Sequence, residues 1–149
     1  MPLATATSFT RAFVPCWLVT YLLASVCHTQ MVLLSLTALG THIDATARLS
    51  VTLKDIVGLL PVYGSLTAIA LFLSLSVSGF FTARFSSRRY LIPLATGVVM
   101  LVLLLLMESV LKFSLITGAR TPFGLCLQVL AGICGGMTFM VLIRHPARR

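Results

Sequence analysis

The chain has 149 residues, of which 58% are hydrophobic and only 9% are charged, and its formal net charge is +8. Soluble domains carry about 25% charged residues, so this composition excludes an ordinary soluble domain and indicates an integral membrane protein. In such a protein the basic residues at the ends of apolar runs report topology. The positive charge therefore does not indicate a nucleic-acid partner.

Four long apolar runs occupy most of the chain and predict four membrane-spanning helices. About 20 apolar residues, at a rise of ~1.5 Å each, cross the ~30 Å hydrocarbon core of a bilayer. The predicted spans cover residues 12–39, 58–83, 91–111 and 122–143, and the longest connection covers residues 40–57. We therefore expect one all-α membrane domain over residues 1–149, a four-helix transmembrane bundle.

The first span becomes polar in its second half, where His28 and Gln30 lie. Polar groups inside a span are costly unless they are hydrogen-bonded. We expect a neutral, hydrogen-bonded structural histidine, with contact to a proton or a quinone as the alternative. Haem held between two histidines would need a second histidine in a span, and the four cysteines form no C-x-x-C pair. We therefore predict no cofactor and no metal site.

The first connection, residues 40–57, predicts a short amphipathic helix in the outer interface, because apolar residues recur there at helical spacing. Pro61, flanked by two glycines, offers a break between this segment and span 2. Asp55 in this connection and Arg120 in the third connection are candidate functional residues on the outer side. Solvated surface charge is the simpler interpretation of both.

Basic residues concentrate on one side of the predicted bundle. Arg84, Arg88 and Arg89 lie in the turn between spans 2 and 3, and seven of the eleven basic residues share the side that holds both chain ends. The positive-inside rule makes that side cytoplasmic. The use of nine arginines against two lysines hints at a GC-rich bacterial genome. We therefore expect a bacterial inner (plasma) membrane as the location.

Span 3, residues 91–111, contains the only acidic residue inside an apolar run, Glu108. Lys112 follows four residues later, a spacing that favours an ion pair on one helix face. We interpret Glu108 as a partner in such a pair near the outer interface. The alternative, a coupling carboxylate for proton-driven transport, would lie nearer the bilayer midplane.

Span 4 has small or polar residues in a row at four-residue spacing: Gly124, Gln128, Gly132 and Gly136. Missing side chains along one helix face allow another helix to approach closely. The row could pack inside its own bundle, which is the simplest interpretation. It could also dock another subunit or line a substrate path. In each case Gln128 needs a hydrogen-bond partner.

No catalytic signature accompanies the spans. Nucleophile elbow, P-loop, dinucleotide fingerprint and H-E-x-x-H motifs are all missing from the sequence. These features favour a non-catalytic accessory or assembly subunit of a larger membrane complex. Its partners would be the lipid bilayer and either another membrane subunit or a second copy of the chain. An oligomeric small transporter or channel is the alternative, and a membrane enzyme acting on lipid or quinone is the third hypothesis.

Overall fold

The computed structural model describes the backbone of residues 6–40, 42–84, 90–111 and 122–144, and the side chains of 8–40, 42–79, 90–107 and 123–143. Nearly all of these residues are helical. Three helical stretches are long and apolar enough to cross a membrane: Ser8–Ala38, Ala45–Gly79 and Phe123–Ile143. The chain is therefore an all-α protein with apolar helices of membrane-spanning length.

Helix α1 covers Ala6–Ala38 and ends in a left-handed turn at Gly40, where φ is 87°. Glycine adopts this conformation without the steric cost that a side chain would add. Helix α2, Ala45–Leu59, begins after Asp44. The Thr46 hydroxyl donates a 2.6 Å hydrogen bond to Asp44 and holds the pKa of that carboxyl below its ordinary value. The resulting negative charge suits the start of a helix.

Helices α2 and α3 (Ser65–Arg84) form one continuous rod through a π turn at Leu60–Gly64. Pro61 lies in this turn, and in a regular α-helix its ring would clash with the preceding turn. The sequence predicts a break at Pro61. The structure instead has a wider helical turn, which accommodates the proline and lets the helix continue.

Helix α4 covers Leu91–Leu111 and helix α5 covers Pro122–Arg144, close to the bounds predicted for spans 3 and 4. The described apolar part of α4, Leu91–Met107, is shorter than the three long stretches. Helix α5 packs between α1 and α4, α3 packs on α4, and α2 packs on α1. This arrangement brings the centre of α1 close to both α2 and α5.

Two buried clusters join the helices. One consists of Tyr21, Ala24, Tyr63, Met100, Leu104 and Ala131, and the other of Ala12, Cys16, Leu75, Ile92 and Phe139. Beside the second cluster, the ring of Phe9 lies 5.8 Å from that of Phe72 and 5.4 Å from that of Phe139. Helices α1, α3 and α5 therefore meet through aromatic rings at one end of the molecule.

Candidate functional site

His28 is a buried group in α1, and its side chain is 9% exposed. Its Nδ1 atom has no hydrogen-bond partner among the described residues. A cavity of about 10 Å³ lies beside it, bordered by His28, Leu59, Tyr63 and Gln128. A space of this size holds about one water molecule at most. It has no room for a small organic substrate.

Asp55 of α2 lies close to His28. Thr29, the next residue along α1, donates a 3.0 Å hydrogen bond to Asp55 Oδ2. The structure thus brings together two candidates that the sequence placed in different segments, one in a span and one in a connection. Chemically, a histidine beside a carboxylate can bind or exchange a proton.

The two glutamines inside the predicted spans both have partners. Gln30 Nε2 donates to Thr52 Oγ1 on α2 at 3.3 Å. Gln128, which is 2% exposed, accepts a hydrogen bond from the Tyr63 hydroxyl at 3.1 Å. Its Nε2 atom donates to the backbone oxygen of Ala24 at 3.0 Å. Gln128 therefore connects α5 to both α1 and the π turn.

Two aromatic side chains of α1 donate hydrogen bonds to backbone oxygens on either side of Pro61. The Tyr21 hydroxyl donates to Ile56 O, and Trp17 Nε1 donates to Gly64 O at 2.9 Å. An irregular helix is tolerated inside a membrane protein where neighbouring groups satisfy its backbone atoms. Through these two bonds α1 stabilises the π turn.

Sequence reasoning assigned no part in this site to Trp17 or Tyr21. A signal was available, because a proline inside a long apolar helix leaves a backbone oxygen without its usual donor. Donors on a neighbouring helix are then expected. The sequence does not show which helix supplies them, since that depends on the packing of α1 against α2.

The small-residue row of α5 lies against other helices of the same chain. A methyl group on Gly132 would approach both Met100 Cγ and Thr96 O to 2.7 Å. Gly136 is similarly close to α4, and Gly124 is buried. Gly132 and Gly136 therefore provide close contact between α5 and α4, whereas Gln128 of the same row faces α1 and the π turn.

A neighbouring face of α5 also makes close contacts. A methyl group on Gly135 would lie 2.9 Å from the backbone oxygen of Cys16 on α1. On α4, a methyl group on Gly97 would lie 2.8 Å from Ile133 Cγ1. The small residues of these helices thus allow α1, α5 and α4 to pack at backbone contact distance.

Five further sequence candidates cannot be placed in this geometry. The side chains of Arg84 and Glu108, and the whole of Arg88, Arg89 and Arg120, lie outside the described residues. The predicted pair between Glu108 and Lys112 lies outside them as well. Of the outer-side candidates, only Asp55 has a described environment.

The described side chains contain no group of three or more histidines, cysteines or carboxylates that could hold a metal ion. The four cysteines are free thiols. Comparison of the chain with protein-family models, with curated proteins and with solved structures finds no match.

Proposed function

We propose that this protein is a non-catalytic accessory or assembly subunit of a larger membrane complex. The observation that carries the proposal is the low burial of the α2–α3 rod. Only 22% of an 18-residue apolar segment within Ala45–Gly79 is buried inside the chain. The corresponding segments of α1 and α5 are 39% and 33% buried. Large apolar side chains project from both halves of the rod, including Val57, which is 72% exposed, and Ile69, which is 59% exposed.

The length of the rod supports a protein partner in addition to lipid. Its 35-residue stretch rises about 52 Å, whereas the hydrocarbon core of a bilayer is about 30 Å thick. A tilt of about 40°, at the upper end of what is seen, still leaves a rise of roughly 40 Å along the membrane normal. Roughly two helical turns would therefore extend beyond the hydrocarbon.

Helix α2 is the best candidate for this extension. None of its residues is buried. Its Thr52 and Asp55 bond to α1, and its Ile56 and Leu59 are only partly buried against the cluster around Tyr21. Leu49 and Leu53, one helical turn apart, are nonetheless 64% and 56% exposed. An apolar face outside the hydrocarbon contacts water unless another surface packs against it, and a neighbouring subunit would provide that surface.

The packed interior supports a structural role rather than a catalytic one. Glycines bring α1, α5 and α4 into close contact, and the cavity beside His28 has room for about one water molecule. A lipid or quinone headgroup does not fit there. The His28–Asp55 pair could serve a membrane enzyme as acid and base, but the cavity beside His28 holds about one water molecule.

The proposed topology has four spans, both chain ends in the cytoplasm, and α2 as an amphipathic segment on the outer side. The distribution of basic residues along the sequence supports this orientation. A bacterial inner membrane is the proposed location. Reporter tags on the two chain ends test the topology, and tags found on opposite faces of the membrane would contradict it.

The subunit proposal is tested by purification in mild detergent, followed by mass measurement and identification of companions. We expect stable association with a different membrane protein. Val57→Trp, on the exposed face of α2, should reduce this association by roughly tenfold or more, the effect of losing one well-packed contact. Val98→Trp is the matched control, because Val98 is 51% exposed but lies on α4. A chain that purifies alone, or equal behaviour of the two variants, contradicts the proposal.

An oligomeric small transporter or channel is the second candidate, and the irregular helix favours it. Interrupted helices beside buried polar groups form the binding sites of many transporters. The π turn at Leu60–Gly64 places Tyr63 next to Gln128 in this way. A pure homo-oligomer that moves a solute into liposomes would establish transport and overturn the subunit proposal.

A further inference from the structure

We propose that His28 and Asp55 form a proton-binding site within the bundle. A proton taken up at His28 Nδ1 would be stabilised by the Asp55 carboxylate across the contact between α1 and α2. The ligand is the proton itself, and the site requires no partner protein. It therefore goes beyond the subunit role and does not depend on it.

The first support is the state of His28 Nδ1. This nitrogen is buried, and no described group lies within hydrogen-bonding distance of it. An unpaired buried polar atom destabilises a fold, and the interior of a membrane protein offers no bulk water to pair it. The adjoining cavity leaves room for about one water molecule, through which a proton can arrive.

The second support is the position of the counter-charge. Asp55 is half-buried, and the Thr29 hydroxyl holds its Oδ2 atom at 3.0 Å. An opposite charge nearby favours the protonated form of histidine. Proton uptake would therefore place a positive charge on the unpaired ring, near the Asp55 carboxylate. Because Asp55 is only half-buried, it also gives the pair contact with the exterior of the bundle.

Besides Asp55, the charged residues of α2 are Arg48, which is half-buried, and Lys54, which is exposed. Tyr63 borders the same cavity and Cys27 precedes His28 on α1, and both side chains are neutral near pH 7. Helix α5 contributes the uncharged Gln128. The described part of α4 contains no carboxylate, lysine, arginine or histidine. Glu108 lies outside the described side chains, so the test neutralises it.

The test uses the full chain in lipid nanodiscs with His42→Gln, His145→Gln and Glu108→Gln, so that His28 is the sole histidine. Labelled histidine then reports ring protonation by NMR between roughly pH 4 and pH 9. We expect a reversible titration. Its midpoint should fall by about one pH unit or more in Asp55→Asn, which removes the counter-charge. Asp55→Glu should keep the midpoint near that of the parent, because the charge is retained.

Asp44→Asn is the matched control, because Asp44 is an exposed carboxylate at the start of the same helix. It should leave the midpoint unchanged. A second readout needs no substitution at Asp55. In the parent protein, the carboxyl resonance of Asp55 should shift in step with the His28 ring, as expected of coupled groups.

Two results would overturn the proposal: a His28 ring that does not change its protonation over the whole range, or a midpoint that is the same with Asp55 and with Asn at that position. If Asp55→Asn does not fold, an Asp55 carboxyl resonance that is indifferent to His28 overturns it equally. The measurement is made on the isolated chain. A failure here is therefore distinct from a failure of the subunit proposal.

Discussion

Single side chains decide how the interior polar groups are satisfied. The sequence shows that Gln128 lies in an apolar run and needs a partner. It does not show that the partners are Tyr63 and Ala24, which lie 65 and 104 residues away along the chain. Side-chain chemistry is a local property, whereas the choice of partner depends on which helices meet. For the same reason the sequence did not show that His28 and Asp55 lie near each other.

At this scale we predict that Tyr63→Phe lowers the free energy of unfolding by about 0.5–1.5 kcal/mol, the range for one buried hydrogen bond in a membrane protein. The substitution removes the donor to Gln128 Oε1 and keeps the ring. Ser76→Ala is the control, because its exposed hydroxyl bonds to Phe72 O of its own helix. Unfolding in mixed detergent measures both. Equal stability of the two variants would show that the Tyr63–Gln128 bond contributes nothing.

At the scale of elements, apolar length predicted the helices well. Helices α4 and α5, as far as the structure describes them, cover the predicted spans 91–111 and 122–143, and α5 contains an apolar stretch of membrane-spanning length. The segment around Pro61 differs, because a π turn replaces the predicted break. Trp17 and Tyr21 explain this difference: their donors on α1 satisfy backbone oxygens beside the turn. The periodicity of the sequence does not show that α1 lies beside this turn.

We predict that Tyr21→Phe loosens α2 selectively. Since α2 has no buried residue, the loss of the donor to Ile56 O should speed amide exchange in Ala45–Leu59 by roughly three- to tenfold. Exchange in α4 should not change. Leu22→Ala is the control, because Leu22 is 43% exposed beside Tyr21 and points outward. Hydrogen exchange followed by mass spectrometry resolves the two helices, and uniform acceleration in both would contradict selective loosening.

At the scale of the whole molecule, close packing of α5 against α1 and α4 holds the described helices together. Hydrophobic burial contributes little between helices in lipid, because lipid tails are as apolar as the side chains. The sequence showed that one face of span 4 could approach another helix, and it left open whether that helix belongs to this chain. In the structure Gly132 and Gly136 lie against α4.

Gly132→Ala should therefore destabilise the isolated chain by about 1–3 kcal/mol, the usual cost of overpacking. Its methyl group would meet Met100 and Thr96 at 2.7 Å. Gly58→Ala is the control, because a methyl group there meets nothing within 4 Å. That variant should be neutral, or more stable by up to about 1 kcal/mol through helix propensity. A Gly132→Ala protein that folds normally but loses only its companions would place the glycine face between chains.

The sequence by itself determined that this chain forms long apolar helices able to cross a membrane. Length, low charge and rise per residue are properties of each segment alone. The tertiary structure decided which helices the glycines of α5 contact, how Pro61 is accommodated, and that His28 lies near Asp55. Each of these joins residues that are distant along the chain, and the pattern within one segment does not specify which other segment will pack against it.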